Sequence, residues 1–336
     1  MATPYVTLED DTQAFYDRNL LERALPALLH DKFGQERPLQ TRSTRKKTFR
    51  RWSALTPTTT ALVEGVTPVG SSLAKTDVTV TLKQFGDYVT VTDVATWASR
   101  DPVLTETAQV LGEQAGQSLD QVYRDVLVAG TSVFCTEDDS GTVIGTTRTN
   151  IDGLINTPLI RIAVRYLQLQ NAKPFTKLIT PKPGVGSTAV LPSFWGIVHP
   201  AVYYTLRTLT GFVSVKDYAS QSEVMSPWEI GNYQDVRFCM STHAKIFIDA
   251  GANKGTGHAS TGTVKEDVYA TLIFAMNAYG IVPMNGHAME NIVKPLGSAG
   301  TADPLNQRAT SGWKAYTNAI ILNDAFMTRL ESGALA

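Results

Sequence analysis

The sequence predicts an α+β fold, on three observations. One stretch, Asp101 to Gly130, carries apolar residues at a helical period over a length no other segment matches. Runs such as VTVTL (Val78 to Leu82) and YVTVTDV (Tyr88 to Val94) alternate instead at period two, the mark of half-buried strands. The 336 residues are 43% hydrophobic and 18% charged, a balance that supports a packed core over a disordered coil. A formal net charge of −1 leaves no global field to attract nucleic acid or an acidic membrane, so any such contact must come from a local patch. No segment approaches the apolar length of a bilayer span, and the N-terminus lacks a basic region followed by an apolar run; synthesis in the cytoplasm is the expectation. Cys135 and Cys239 are far apart and in apolar company, which favours free buried thiols over a disulfide or metal site.

Taken in order, Thr12 to Lys32 places Phe15, Leu20, Leu21, Leu25, Leu28 and Leu29 among Asp17, Arg18, Glu22 and Arg23. That pattern is an amphipathic helix ended by Gly34, either an arm lying on another part of the fold or a neighbouring subunit, or a terminal helix packed on its own domain. Glu36 to Trp52 follows, with Arg37, Arg42, Arg45, Lys46, Lys47, Arg50 and Arg51 almost unopposed by acid. Such a cluster suits a phosphate backbone or an acidic protein surface, and equally a strand whose basic side chains are solvated or paired across a subunit seam. Phe49 and Trp52 are too few for a single-strand stacking platform. Leu55 to Ala95 is rich in Thr, Val and Gly, and its two alternating runs predict a hairpin. The turn-rich tract Gly65 to Lys75 reads as an extended ribbon covered by another subunit, or as a lid or surface loop in a monomeric enzyme. No nucleophile and base accompany it to support a lid.

In the long helix Asp101 is placed to cap the first turn, Pro102 fits the first helical position, and Gly130 suits a left-handed stop. At about 1.5 Å per residue the element would span about 40 Å. The predicted buried stripe is Leu104, Leu111, Ala115, Leu119, Val122, Val126 and Ala129, with Glu106, Glu113, Asp120 and Arg124 in water. Gly112 and Gly116 each cost about 1 kcal/mol of helix propensity, which suggests that another backbone crosses closely there. By itself the stretch suits a structural beam or an ordinary helix of a soluble enzyme.

Thr131 to Asn150 is polar and turn-rich, with an acidic tip at Glu137, Asp138 and Asp139 that lacks the alternating ligand spacing of a calcium loop. Thr157 to Asn171 is helical in period, and Phe175 to Thr180 reads as a short strand before a glycine-containing turn at Gly184 and Gly186. From Phe194 a strand-rich region begins. FWGIV runs as a strand into a short helix after Pro200, Val236 to Ile248 and Val268 to Met284 read as strands, and Ala250 to Gly262 is a glycine-rich loop. Lys294 to Asp303 is another loop, and Trp313 to Leu322 is a strand before a short terminal helix.

No catalytic signature emerges. His30, His199, His243, His258 and His287 show no paired spacing and no neighbouring Cys, so zinc catalysis lacks ligands. Ser187, Ser193 and Ser214 sit in no nucleophile elbow. The adjacent pairs Asp138–Asp139 and Glu266–Asp267 point to different faces of regular structure and read as solvated. No cofactor and no metal is expected. An α+β enzyme with a two-domain cleft, and a tail or shell accessory protein, remain as alternative functions.

Several long phrases, in this order, carry a resemblance that covers nearly the whole chain: FYDRNLLERALPALLHDKFGQ, LVEGVTPVGSSL, LKQFGDYVTVTDVATWASRDPVL, GQSLDQVYRDVLVAGTSV, NAKPFTKLI and KPLGSAGTADPLNQRATSGWKAY. They resemble the major capsid proteins of tailed bacteriophages of the N4-like type, which have the Hong Kong 97 (HK97-like) capsid fold. The resemblance implies a non-enzymatic structural protein of the virion, made in the bacterial host cytoplasm, that self-assembles as hexamers and pentamers into an icosahedral head around double-stranded DNA. Residues 1–54 would be the N-terminal arm and basic segment, and 55–95 the extended loop, with Glu64, Lys75 and Lys83 as candidate inter-subunit contacts. Residues 96–191 and 298–336 would form the peripheral domain around the spine helix, and 192–297 the axial domain. The arm begins almost at Met1, so a separate scaffolding protein is expected, with a portal, and a decoration protein as an optional partner. Cross-linking through Lys75 or Lys83 has no support beyond position. Within this frame the segment Arg37 to Arg51 faces either packaged DNA or acidic edges of adjacent subunits, and the near-neutral total charge tilts toward the second.

Overall fold

Two β-sheets and one long helix carry the fold in the computed structural model, which describes residues 28–42, 44–53, 55–98, 103–137, 144–175, 192–218, 228–253, 258–262, 264–286, 289–298 and 303–335. The strands are β1 (Gln35–Glu36), β2 (Lys46–Trp52), β3 (Lys75–Thr81), β4 (Lys83–Thr92), β5 (Val133–Thr136), β6 (Ile144–Gly145), β7 (Phe194–Val198), β8 (Val213–Ser214), β9 (Glu229–Tyr233), β10 (Val236–Met240), β11 (Ile246–Phe247), β12 (Val268–Phe274), β13 (Tyr279–Pro283), β14 (Glu290–Lys294), β15 (Arg308–Ile321) and β16 (Met327–Ser332). The helices are α1 (Asp93–Ala98), α2 (Val103–Val128), α3 (Thr157–Leu169) and α4 (Pro200–Thr208).

The smaller sheet is built on β15. Its alternation buries Ala309, Ser311, Trp313, Ala315, Thr317 and Ala319 on one face while Lys314, Tyr316 and Asn318 stay partly exposed. Along one edge β4 pairs with it antiparallel from Thr92 opposite Arg308 to Lys83 opposite Thr317. β14 and β13 pair with it antiparallel in turn, and β1 adds in parallel to β13. The larger sheet runs β6-β5-β16-β12-β7-β10-β9-β8, with β11 attached to β12. Its central strand β7 is buried along its full length, as expected of a strand covered on both faces. Trp195 and Ile197 join the core under α2, whereas Phe194 and Val198 face the core shared with α3 and α4. Asn156 caps α3 by accepting from the Leu159 amide, and the His199 ring accepts from the Ala201 amide at the start of α4.

The sheets cut across the domain boundaries expected from the sequence. β5 and β16 lie outside 192–297 yet share the larger sheet with β7, β10 and β12, and β13 and β14 lie inside it yet belong to the β15 sheet. The crossing point is Ala275 to Ala278, where Asn277 takes a positive φ of 63° between β12 and β13. Other elements also differ from expectation. The alternating runs of β3 and β4 do not pair with each other; β3 pairs with β2, and β4 with β15. Val236 to Ile248 is two strands, broken where Ser241 Oγ accepts from the His243 amide. Thr131 to Asn150 contains strands β5 and β6, and the chain closes on β16 instead of a helix. Periodicity identifies a strand but not its partner, and short strands with one apolar face partly filled by Cys and Thr carry little periodic signal.

The helix α2 is present, but its buried face is rotated from the predicted stripe. It comprises Ala108, Leu111, Gly112, Ala115, Gly116, Leu119, Asp120, Tyr123, Leu127 and Val128. Leu104, Val122 and Val126 are only half-buried, and Ala129 is exposed. Asp120, expected in water, is completely buried. Gly130 is not left-handed. Its amide closes a tight turn onto the Leu127 carbonyl at 3.1 Å, and the Arg329 guanidinium donates to the Val128 and Gly130 carbonyls, supplying the cap. The fit is close: an added Cβ at Gly130 would lie 3.0 Å from the Asp324 carboxylate, which accepts from the Thr131 amide. Asp101 and Pro102 lie outside the described residues, as does the predicted helix before Leu28, the acidic tip beyond Glu137, and the strand beyond Phe175.

Candidate assembly surfaces

The second half of the expected basic segment, from Lys46, is one strand of a ribbon. β2 and β3 pair antiparallel from Lys46 opposite Thr81 to Trp52 opposite Lys75, and residues 53–74 form the connection at the tip. Phe49 anchors the ribbon's base: it is buried with Leu39, Val80, Leu82 and Val282 against the β15 sheet. Its flanking cations project outward. Arg37, Arg42, Arg45, Lys46, Arg50 and Arg51 are exposed and Lys47 is half-buried. Arg50 Nε lies 3.0 Å from Asp77, and Lys75 lies 3.8 Å from the same carboxylate. Arg45 and Lys47 donate to the Leu82 and Pro38 carbonyls at 3.4 and 3.5 Å. These exposed pairs are each worth at most about 1 kcal/mol, and one carboxylate cannot neutralise the four cations on β2, Lys46, Lys47, Arg50 and Arg51. The ribbon therefore presents a surplus of positive charge.

The connection between β2 and β3 is exposed at every described residue, and large apolar side chains recur along it among threonines, serines and glycines. Leu55, Leu62, Val63, Val66, Val69 and Leu73 are exposed, Val69 to 99%. Covering one such side chain is worth about 1.5–3 kcal/mol, so a run of six is a surface suited to a protein partner. Glu64 sits within this tract, and Lys75 and Lys83 are exposed at the start of β3 and β4. Trp97 of α1 adds another exposed aromatic.

The second surface is internal and was missed by sequence reasoning. The end of the arm, Leu28 to Phe33, packs on α2, with Leu28, Leu29 and Phe33 in the main core and Phe33 stacked on Trp195. Asp120 Oδ1 accepts from the Leu29 and His30 amides, both at 2.8 Å, and Asp120 Oδ2 is 2.9 Å from His30 Nδ1. Tyr279 Oη donates to the His30 carbonyl at 2.6 Å. Burial by itself pushes the Asp120 carboxyl up, but the His30 ring's hydrogen bond and charge, with the two amides, hold it below the usual carboxylate range. Burial pushes the neighbouring Asp31 carboxyl up and the Tyr279 hydroxyl far up. Gly34 completes the crossing, since an added Cβ would meet the Tyr279 ring at 2.5 Å. A usable signal was present: Gly112, Gly116 and Asp120 recur every four residues, so an acid continues the small-residue stripe.

Sequence-adjacent Glu266 and Asp267 do point to different sides, but neither is solvated. Asp267 accepts from the Asp249 and Thr261 amides, while Glu266 Oε1 lies 2.5 Å from His258 Nδ1. Lys46, Lys47, Arg50 and Arg51 gather on β2 with Arg45 just before it, Arg37 instead follows β1 with its amide on the Ile281 carbonyl and Arg42 lies in the turn between, and Gly112 and Gly116 lie with Asp120 on the buried face of α2. Both cysteines are buried, and burial, with Glu331 beside it, pushes the Cys135 thiol up to about 12. Among the described residues no helix is long and apolar enough to cross a membrane.

The phage capsid protein family model matches residues 75–329. No curated protein matches the sequence. Among solved structures the chain is similar to the capsid of Ralstonia phage GP4, at 11% identity and a TM-score of 0.66, covering 90% of this chain and 88% of that one. It is also similar to the head structure of Helicobacter pylori bacteriophage KHP40, at 12% identity and a TM-score of 0.60, covering 89% and 87%. At these identities the likeness concerns the fold.

Proposed function

Since the chain belongs to the phage capsid protein family and has the HK97-like fold, we propose that its exposed ribbon is the element by which it assembles into hexamers and pentamers of an icosahedral head. It is a structural protein of the capsid and not an enzyme. The observation that carries the proposal is the coincidence on one ribbon of an apolar tip and a basic strand. An apolar tract gains nothing from a phosphate backbone but gains burial from a neighbouring subunit, so the cations beside it are best used against acidic edges of that neighbour. Contacts of this kind are individually modest and become strong through repetition in a closed shell. In this reading the peripheral domain, expected at 96–191 and 298–336, would centre on α2 and the β15 sheet, and the axial domain, expected at 192–297, would centre on the larger sheet with α4. Double-stranded DNA would be enclosed without sequence recognition, and a scaffolding protein, a portal and an optional decoration protein would act with the chain in the host cytoplasm.

Negative-stain imaging of the purified, concentrated protein tests this reading. Closed polyhedra are expected; tubes or spikes would assign the chain to a tail or accessory structure instead.

A further inference from the structure

We propose that Asp152, His258 and Glu266 form a binding site for a divalent first-row transition ion of the zinc class. One ligand atom from each residue lies within 4.8 Å of the others. They come from three chain segments that spacing alone would never associate. Asp152 follows the turn Arg148–Asn150, His258 belongs to the loop after β11, and Glu266 lies two residues before β12.

Backbone hydrogen bonds hold these segments together independently of any ion. The Ala252 amide donates to the Ile151 carbonyl at 2.8 Å, the Glu266 amide to the Ala252 carbonyl at 3.0 Å, and the Gly251 amide to the Glu266 carbonyl at 3.1 Å. His258 is bridged to Leu335, and the adjacent Ala259 amide donates to the Ala334 carbonyl at 2.8 Å. The Gly333 amide donates to the Gly153 carbonyl, and an added Cβ at Gly333 would lie 3.1 Å from Glu266 Oε2. Glycine at 333 thus leaves room around the Glu266 carboxylate.

The chemistry of the donors selects the ion. One imidazole nitrogen with two carboxylates suits zinc and its neighbours, whereas calcium takes six to eight oxygens and magnesium keeps most of its waters. Zinc ligands at about 2.1 Å around a tetrahedron stand roughly 3.4 Å apart. His258 Nδ1 and Glu266 Oε1 share a direct hydrogen bond at 2.5 Å, so an ion taken between them displaces the bridging proton to solvent and spreads the two atoms by about 0.9 Å, and the exposed Asp152 side chain is free to turn inward. Glu266 is buried, and a cation beside a buried carboxyl group offsets part of its desolvation cost. Exposure of Asp152 opens the site to solvent and to exchange. A bound ion would tie the 151–153 segment to the entry of β12, an interior strand of the larger sheet.

The test uses untagged full-length protein, stripped with a chelator and titrated with Zn²⁺ against a chromophoric competitor. Wild type is expected to bind one ion per chain, and Asp152→Asn to bind at least tenfold more weakly. Asp152 is exposed and its replacement leaves the His258–Glu266 contact in place, so this variant should fold; an unchanged circular dichroism spectrum checks that. Co²⁺ substitution should give visible absorption in wild type that His258→Gln lacks. Equal Zn²⁺ affinity in wild type and Asp152→Asn, or no stoichiometric binding by wild type, would overturn the assignment and leave a buried His258–Glu266 pair.

Discussion

Replacing Asp120 with alanine should release the arm from the spine helix α2. The wild-type carboxylate accepts two backbone amides at 2.8 Å and sits 2.9 Å from the His30 ring, with both side chains fully buried. Hydrogen bonds to a charged acceptor are worth about 1.5–3 kcal/mol each, and removing one member of a buried pair costs about 3–5 kcal/mol. The three bonds are not additive, because an undocked arm regains water; a loss of about 4 kcal/mol is the expected result. At about 2 °C per kcal/mol for a chain of this size, that lowers the melting temperature by about 8 °C. Two assays read it: the urea midpoint of the unassembled chain, and trypsin cleavage after Lys32, which should accelerate more than global unfolding predicts. The pH dependence has a definite sign. A carboxyl held below its usual range stabilises the fold above the unfolded-state value and loses that contribution as pH falls through its depressed folded value. The difference between wild type and Asp120→Ala should therefore be full near neutrality and shrink in strong acid. A loss under 1 kcal/mol with unchanged cleavage at Lys32 would refute the anchoring role.

Further expectations follow from the other surfaces. Charge reversal at Arg45, Lys46 and Lys47 should block particle formation; normal particles with reduced DNA content, measured by nuclease-protected absorbance, would assign the strand to the packaged genome instead. Gly116→Leu should impair folding or assembly although leucine favours an isolated helix by about 1 kcal/mol, because Gly116 is buried on the stripe that ends in Asp120; unaffected particles would remove that role. Cys135 and Cys239 should both resist a thiol reagent in the native chain and both react in denaturant, and rapid native labelling would contradict their burial.

The long helix, the alternating strands and the α3 and α4 helices were legible because each has a strong local period or a marked start, such as Asn156 before Pro158 and His199 before Pro200. Pairing was less so. β3 and β4 are neighbours in sequence with matching alternation, yet they diverge at Leu82, whose side chain is buried beside Phe49 while the chain turns to run along β15. Local pattern cannot encode that choice, since it is decided by residues more than two hundred positions away. The ribbon was legible in its parts, as a basic segment and an apolar turn-rich tract, but not as one hairpin. Asp120 was misread because composition treats an acid on a helix as wet, and only the arm's unpaired amides give it a buried partner. His258 and Glu266 likewise meet only through the fold of the loop between β11 and β12.

Sedimentation velocity of the purified chain across a concentration series, without added small molecules, tests the central claim most directly. Association through the ribbon predicts rings and shells sedimenting far above the 36.5 kDa chain, and their loss when Leu62, Val66 and Val69 are replaced by serine. A stable monomer at all concentrations that instead binds a small molecule saturably would contradict the capsid-assembly account.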